Sequence, residues 1–197
     1  MMNTLYPIFI KPENIQILLV GGGKVAAEKV QFILKNSPTA QITIVATEIK
    51  NELLLFMDKF LDKNQQKQPF HLQQKQFEAI DIENKHLVIA ATNNKIVNQQ
   101  IYEAAKARKV LVNVADTPEL CDFYLGSIVT KGDLKIAIST NGKSPTLSKR
   151  LREFFEAILP ENTNDLISNL NQYRDSLKGN LEEKMKKLNE LTMSLLK

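Results

Sequence analysis

An α/β fold is predicted by three features of the sequence. Short apolar runs recur through residues 15–114, and each is followed by a stretch whose apolar residues fall at helical spacing. The first run, Ile15 to Val20, ends in Gly21-Gly22-Gly23 and reopens at once as the helix-like Lys24 to Val30. After Asp116 the alternation gives way to a hairpin pattern and then to amphipathic helices. These features describe a Rossmann-like parallel sheet over 1–115, a linker and β-hairpin over 116–143, and a C-terminal helical domain over 144–197.

The elements follow in order. Ile15 to Val20 is a continuous apolar strand, and Ala26, Val30, Ile33 and Leu34 mark a helix that Asn36-Ser37-Pro38 ends. Gln41 to Ala46 is a second strand. Ile49, Leu53, Phe56 and Phe60 form the inner stripe of a second helix, which dissolves into the polar loop Lys63 to Pro69. Phe70-His71-Leu72 gives a short third strand and His86 to Ala91 a fourth. A helix carrying Val97, Ile101, Ala104 and Ala105 comes next, and Val110 to Val114 is the fifth strand. Strands apolar throughout are covered on both faces, as parallel strands with crossover helices are. Ser127 to Thr130 and Leu134 to Ser139 flank the Gly132 turn as a hairpin. Ser144-Pro145 supplies a cap and first-turn proline for the helix striped by Leu147, Leu151, Phe154, Phe155 and Ile158. Two more amphipathic helices run through Leu166 to Leu177 and Leu181 to Leu195, with Gly179 between them.

The glycine run carries the strongest chemical signal. A strand that stops in a turn too tight for side chains, then reopens as a helix, aims backbone N–H groups and the helix's positive end at one point. A diphosphate fits there. Read as Gly21-x-Gly23-x-x-Ala26, the run is a dinucleotide fingerprint with alanine in the slot that needs only close helix packing. Gly21, Gly22 and Gly23 are therefore candidate cofactor-binding residues. The second strand ends in Thr47-Glu48, both able to accept ribose hydroxyls, and no arginine follows to meet a 2′-phosphate. NAD is favoured over NADP on that ground, with Lys50 keeping the second coenzyme open. The small residues Ala91 and Thr92 after the fourth strand let a cofactor approach backbone, although ordinary tight packing explains them equally.

Asn113 and Asp116 stand at the carboxyl edge of the fifth strand, where open α/β sheets bind their ligands. Asp116 there can accept a proton or guide a cation; its alternative role is to open an Asx-type turn before Thr117-Pro118. Lys143, Lys149, Arg150 and Arg152 cluster about the start of one helix and suit a polycarboxylate, or simply form a solvated face. His71 and His86 lack partners at metal-ligand spacing, and Cys121 reads as a packing residue. No resident metal is expected.

Composition narrows the classes. The 197 residues are 43% hydrophobic, enough for one core and a satellite unit. A single cysteine excludes a disulfide framework, and no apolar run reaches the ~20 residues of a membrane span. A cytoplasmic protein is expected. The formal charge of +4 is too mild and too scattered for a nucleic-acid stripe.

The ordered set Leu5-Tyr6-Pro7-Ile8-Phe9, Val20 to Ala26, Ala90-Ala91-Thr92-Asn93, Asn113-Val114-Ala115-Asp116 and Ser139 to Pro145 closely resembles precorrin-2 dehydrogenase, the dehydrogenase and ferrochelatase module that also forms the amino-terminal part of sirohaem synthase. The resemblance covers residues 3–160. It implies oxidation of precorrin-2 to sirohydrochlorin with NAD as acceptor and, in many members, insertion of ferrous iron to give sirohaem. By position, Lys24 and Val25 after the glycines and Thr47 and Glu48 would contact NAD. Asp116 matches the family aspartate implicated in both reactions, and Thr140 matches a position near the tetrapyrrole pocket. The eight carboxylates of precorrin-2 give Lys143, Lys149, Arg150 and Arg152 a reason to surround that pocket, with Asn113 as a further substrate-binding candidate. The family fold also implies a homodimer built by the hairpin and the C-terminal helices. One departure is Phe123-Tyr124-Leu125-Gly126, where the family commonly has proline in place of the glycine. A nucleotide-sensing regulatory domain is the alternative from another class; it needs the glycine loop and the acid of the second strand but neither Asp116 nor a polyanion pocket.

Overall fold

A computed structural model describes residues 3–64 and 69–193. Part of the polar stretch Lys63 to Pro69, expected as a loop, and the expected end of the last helix at Leu195 lie outside the described residues. The chain gathers into two compact units, Met1–Leu125 and Gly126–Lys197.

The first unit is a five-stranded parallel sheet with helices on both faces. Its strands are β1 (Gln16–Val20), β2 (Gln41–Ala46), β3 (Phe70–Gln74), β4 (Leu87–Ala90) and β5 (Leu111–Val114). They are ordered β3-β2-β1-β4-β5. Three helices connect them: α1 (Lys24–Asn36), α2 (Asn51–Asn64) and α3 (Lys95–Ala107). All pairings are parallel, with Leu18 opposite Thr43 on one side and Val88 on the other. The third strand runs two residues beyond Leu72, because Lys75 continues the ladder by donating to the Ala46 carbonyl at 2.9 Å.

Successive residues of β1 point to opposite faces, which divides the core into two layers. Ile17 and Leu19 pack with Ala26, Val30 and Leu34 of α1 and with Leu53 and Met57 of α2. Leu18 and Val20 pack with Ile101 and Ala105 of α3 and with Ile82 of the short 3-10 turn Ala79–Ile82. A strand buried on both sides must be apolar at every position, which is why the period-two pattern is absent here. Among the described side chains of α2, Leu53 and Met57 are buried, whereas Phe56 and Phe60 are only partly buried and meet each other tilted, with ring centroids 5.9 Å apart.

The chain stays with the first unit beyond Asp116 because Phe123 and Leu125 return to pack on the α1 and α2 layer. The second unit holds the antiparallel hairpin β6 (Ser127–Lys131) and β7 (Leu134–Ile138), followed by α4 (Pro145–Ile158), α5 (Thr163–Ser176) and α6 (Leu181–Thr192). The Ser144 hydroxyl caps α4 by accepting from Leu147 N–H, and Asn180 and Glu183 cap α6 reciprocally. Gly126 sits where a Cβ would approach the Ile138 carbonyl oxygen to 2.6 Å. That close approach of backbone accounts for glycine at this position.

Leu18, fully buried at the centre of the sheet, tests the core. Leu18→Ala should lower unfolding stability by about 2–5 kcal/mol in urea titration, and a loss under about 1 kcal/mol would contradict the packing described.

Candidate functional site

The strand order reverses beside β1, whose neighbours β2 and β4 send their connections to opposite faces, and a cleft opens at the carboxyl ends of the strands there. It measures about 760 Å³, within the range of small-molecule and cofactor sites. Its walls include Gly21 to Val25, Ala46 to Glu48, Ala91 to Asn94 and Asp116. All the residues expected to hold a cofactor therefore line one cavity, together with Asp116.

The three glycines have separate physical tasks. Gly21 has φ +133°, and a Cβ there would fall on the Ala91 carbonyl oxygen. A Cβ on Gly22 would fall on the Glu48 carbonyl oxygen and meet the Ala46 side chain at 3.0 Å. Backbone hydrogen bonds lock this contact: Gly21 N–H donates to Val45 O at 2.9 Å, and Lys50 N–H to Gly22 O at 2.8 Å. Gly23 is different. It is the N-cap of α1 in extended conformation, and a Cβ there would meet no protein atom within 4 Å. The space above Gly23 is a cradle that a side chain would fill, at the positive end of α1 and beside the exposed Lys24. Ala26, fully buried, holds α1 against the sheet in the third slot of the fingerprint. A dinucleotide diphosphate fits this geometry.

Thr47 and Glu48 are exposed at the end of β2 and line the cleft. Gln74 supports them by donating its side-chain amide to the Thr47 carbonyl at 3.3 Å. At the end of β3, the Lys75 ammonium lies 2.8 Å from Asp81 and 2.8 Å from Glu78. These carboxylates, Asp81 foremost, push the lysine pKa up and keep it charged and paired. Sequence reading passed over this cation, although Lys75-x-x-Glu78 has ion-pair spacing.

Thr92 works within the protein. Its hydroxyl lies 2.6 Å from Asn98 Oδ1 and accepts from Asn94 N–H at 3.2 Å, while Asn98 returns its amide to the Thr92 carbonyl at 3.1 Å. This clamp shapes the β4 to α3 loop that forms one wall of the cleft. Ala91, 6% exposed, brings backbone to the same wall.

Asp116 is exposed, lines the cleft and adopts a left-handed backbone with φ +57°. The turn after β5 is closed by Thr117 N–H donating to Val114 O at 3.3 Å, not by an Asx contact from Asp116. Among the described residues its carboxylate has no hydrogen-bond or ion-pair partner. Asn113, by contrast, is 6% exposed and donates its amide to Phe123 O at 2.8 Å. Cys121 is half-buried, and desolvation pushes its thiol pKa up, so it stays protonated.

The remaining candidates lie in the second unit. The Thr140 hydroxyl accepts from Ser144 N–H and approaches Ser144 O, both at 3.1 Å, closing the turn before α4. Arg150 donates to Glu153 at 2.7 Å, and Arg152 forks onto Glu156 at 2.6 and 2.7 Å. Lys143 and Lys149 are exposed on the same segment.

Comparison with known proteins agrees with this geometry. The family profile described as "Putative NAD(P)-binding" matches residues 8–127. The chain belongs to this family. A second profile, "Sirohaem biosynthesis protein central", matches residues 131–158. Siroheme synthase of Psychromonas ingrahamii is 38% identical over 172 residues, covering 87% of this chain and 34% of that protein. Siroheme synthase of Nitrosococcus oceani is 36% identical, covering 87% of the chain and 35% of the relative. The chain thus spans about a third of the length of these siroheme synthase relatives, and the resemblance read from its ordered motifs is confirmed at family level. The solved structure of SirC, a precorrin-2 dehydrogenase, superposes with a TM-score of 0.71 at 24% identity, covering 95% of this chain and 89% of that one. That likeness extends the fold through the hairpin and C-terminal helices.

The glycines separate folding from binding. Gly23→Ala should lower stability by less than about 1 kcal/mol, the weaker cap being offset by a less flexible unfolded chain, while weakening nicotinamide dinucleotide binding at least tenfold, as measured by calorimetric titration. Gly21→Ala should lose roughly 1–3 kcal/mol or more of stability from backbone strain alone. Equal behaviour of the two variants would contradict the roles assigned.

Proposed function

We propose that this protein oxidises precorrin-2 to sirohydrochlorin with NAD in sirohaem biosynthesis, as a cytoplasmic homodimer. The observation that carries the reading is the unpartnered carboxylate of Asp116, held at a sheet edge in the same cleft as the glycine turn. The choice of pathway is supported by the likeness to siroheme synthases. A nucleotide-sensing module would need no such carboxylate.

NAD, when bound, supplies the hydride acceptor. Gly23, Lys24 and Val25 receive its diphosphate through backbone N–H groups at the start of α1, while Gly21 and Gly22 shape the turn. Thr47 and Glu48 accept the ribose hydroxyls. The carboxylate of Glu48 repels a 2′-phosphate, and Lys75, the cation next along the sheet edge, is already engaged by Asp81 and Glu78; both features favour NAD over NADP. Ala91 lets the coenzyme lie close to backbone, and Thr92 keeps the adjoining loop in shape. Asp116 would take up the proton that the substrate releases on oxidation, the coenzyme when bound supplying the hydride acceptor, so that charge and hydrogen balance.

Insertion of ferrous iron, as a substrate, is the second activity we assign to the same carboxylate. Asp116, exposed to water, would accept the two pyrrolic protons one at a time and pass each to solvent as the cation enters, a task that needs no permanent metal ligands. Lys143 and Lys149, with the partly neutralised Arg150 and Arg152, offer cationic contacts to the substrate carboxylates near Thr140. Asn113 serves from within the fold, because its amide is committed to Phe123. The homodimer is supported by large apolar residues left exposed in the second unit, among them Phe154 at 55%, Ile158 at 54% and Leu181 at 74%.

Purified protein mixed with precorrin-2 and NAD should generate NADH and sirohydrochlorin. Asp116→Ala should retain NAD binding while kcat falls by about 10²–10⁴-fold; unchanged turnover in the variant would overturn the proton-acceptor assignment. NAD should exceed NADP in kcat/KM by at least about tenfold, and Glu48→Gln should narrow that ratio. A wild-type ratio near unity would overturn the coenzyme reading.

A further inference from the structure

Strand β5 is an edge strand, and its outer edge carries unpaired backbone groups that a sixth strand would ordinarily satisfy. Here the returning segment Cys121 to Phe123 satisfies them, largely with side chains. Asp122 N–H donates to Val112 O at 2.7 Å, and Val112 N–H donates to the Asp122 carboxylate at 3.1 Å. One step further along β5, Val114 N–H donates to Cys121 Sγ at 3.3 Å, and the thiol lies 3.3 Å from both Val114 O and Thr117 O. The sulfur thus stands in for a strand backbone, accepting from Val114 and donating its one proton to either carbonyl. Asn113, pointing to the same side, places its amide 3.4 Å from the sulfur and donates to Phe123 O at 2.8 Å.

Between these contacts the chain makes the turn Ala115-Asp116-Thr117. Its inner strap, toward β4, is Ala115 N–H to Ala90 O at 2.9 Å, and Thr117 adds a hydroxyl contact to Ala115 O at 3.3 Å. Asp116 has φ +57°, a conformation that costs free energy in a residue with a Cβ and persists only where neighbours over-determine it. Its own carboxylate contributes nothing to that constraint. The thiol grips the turn at both ends, at Val114 and at Thr117, so it sets the direction in which the intervening side chain leaves the sheet.

We propose that Asn113 and Cys121 are positioning residues that hold Asp116 in the geometry its proton transfer requires; this rests on the role given to Asp116 above. Neither side chain touches the reacting atoms. The thiol acts as a hydrogen-bonding link that joins the returning segment to β5. Its half-buried, protonated state supplies the donor that the carbonyls need.

The test uses the full chain with Cys121→Val, which keeps the volume but not the hydrogen bonds, Cys121→Ser, which keeps the hydrogen bonds in a smaller group, and Asn113→Leu. Cys121→Val and Asn113→Leu should lower kcat for precorrin-2 oxidation by about tenfold or more with KM for NAD unchanged within about twofold, while Cys121→Ser keeps at least about half of the wild-type kcat. Amide exchange at Ala115 and Thr117 should quicken in Cys121→Val and not in Cys121→Ser, with exchange at Gly21 unaltered in both. A valine variant with wild-type kcat and exchange, a serine variant as impaired as the valine one, or NAD affinity falling in step with kcat would overturn the proposal. If wild-type protein fails to oxidise precorrin-2, the functional reading is what fails; the exchange pattern then decides alone whether the pair holds the turn.

Discussion

The close approach of the Gly21-Gly22 backbone to the carbonyls of Ala91 and Glu48 is the contact on which the site depends. It draws the carboxyl ends of β1, β2 and β4 together with no side chain between them. Because the turn is so tight, α1 starts immediately over the sheet, and its unsatisfied N–H groups face the cleft rather than solvent. The same contact carries Thr47 and Glu48 to the lip of that cleft, since the chain leaving β2 is pinned through Lys50 to the Gly22 carbonyl at 2.8 Å. A larger residue at either glycine would push these ends apart and disperse the groups around them.

A second constraint acts at the far edge of the sheet. Backbone polar groups there cannot go unpaired next to a packed core without a penalty of about 1–3 kcal/mol each. The chain meets this demand with a thiol, a carboxylate and one amide N–H drawn from Cys121 and Asp122. The strained backbone of Asp116 is a by-product of that closure, and its free carboxylate is what the closure leaves facing the cleft. Stability and the proposed chemistry thus share the turn: the groups that complete the sheet also hold the segment from which the proposed proton acceptor projects.

Much of the first unit was legible in the chain itself. Apolar runs interrupted by helical spacing identify parallel strands covered on both faces, and the Gly-x-Gly-x-x-Ala spacing places the dinucleotide turn. The Ser144-Pro145 cap and the Gly132 turn likewise announced α4 and the hairpin, because capping and tight turns are local matters of φ, ψ and side-chain reach. The separate tasks of the three glycines were not legible, since they depend on which distant carbonyls pass within reach. The committed state of Lys75, Arg150 and Arg152, and the burial of Asn113, were equally hidden.

The sequence alone determined the order and type of the elements and the identity of the coenzyme turn, since periodicity, glycine content and caps act over a few residues. Tertiary structure decided which polar groups are already paired and which remain free. Asp116 and Asn113 look alike in the chain, two polar residues at the end of one strand. Only the fold, by closing a sheet edge with residues from further along, buries the amide and leaves the carboxylate facing the cleft.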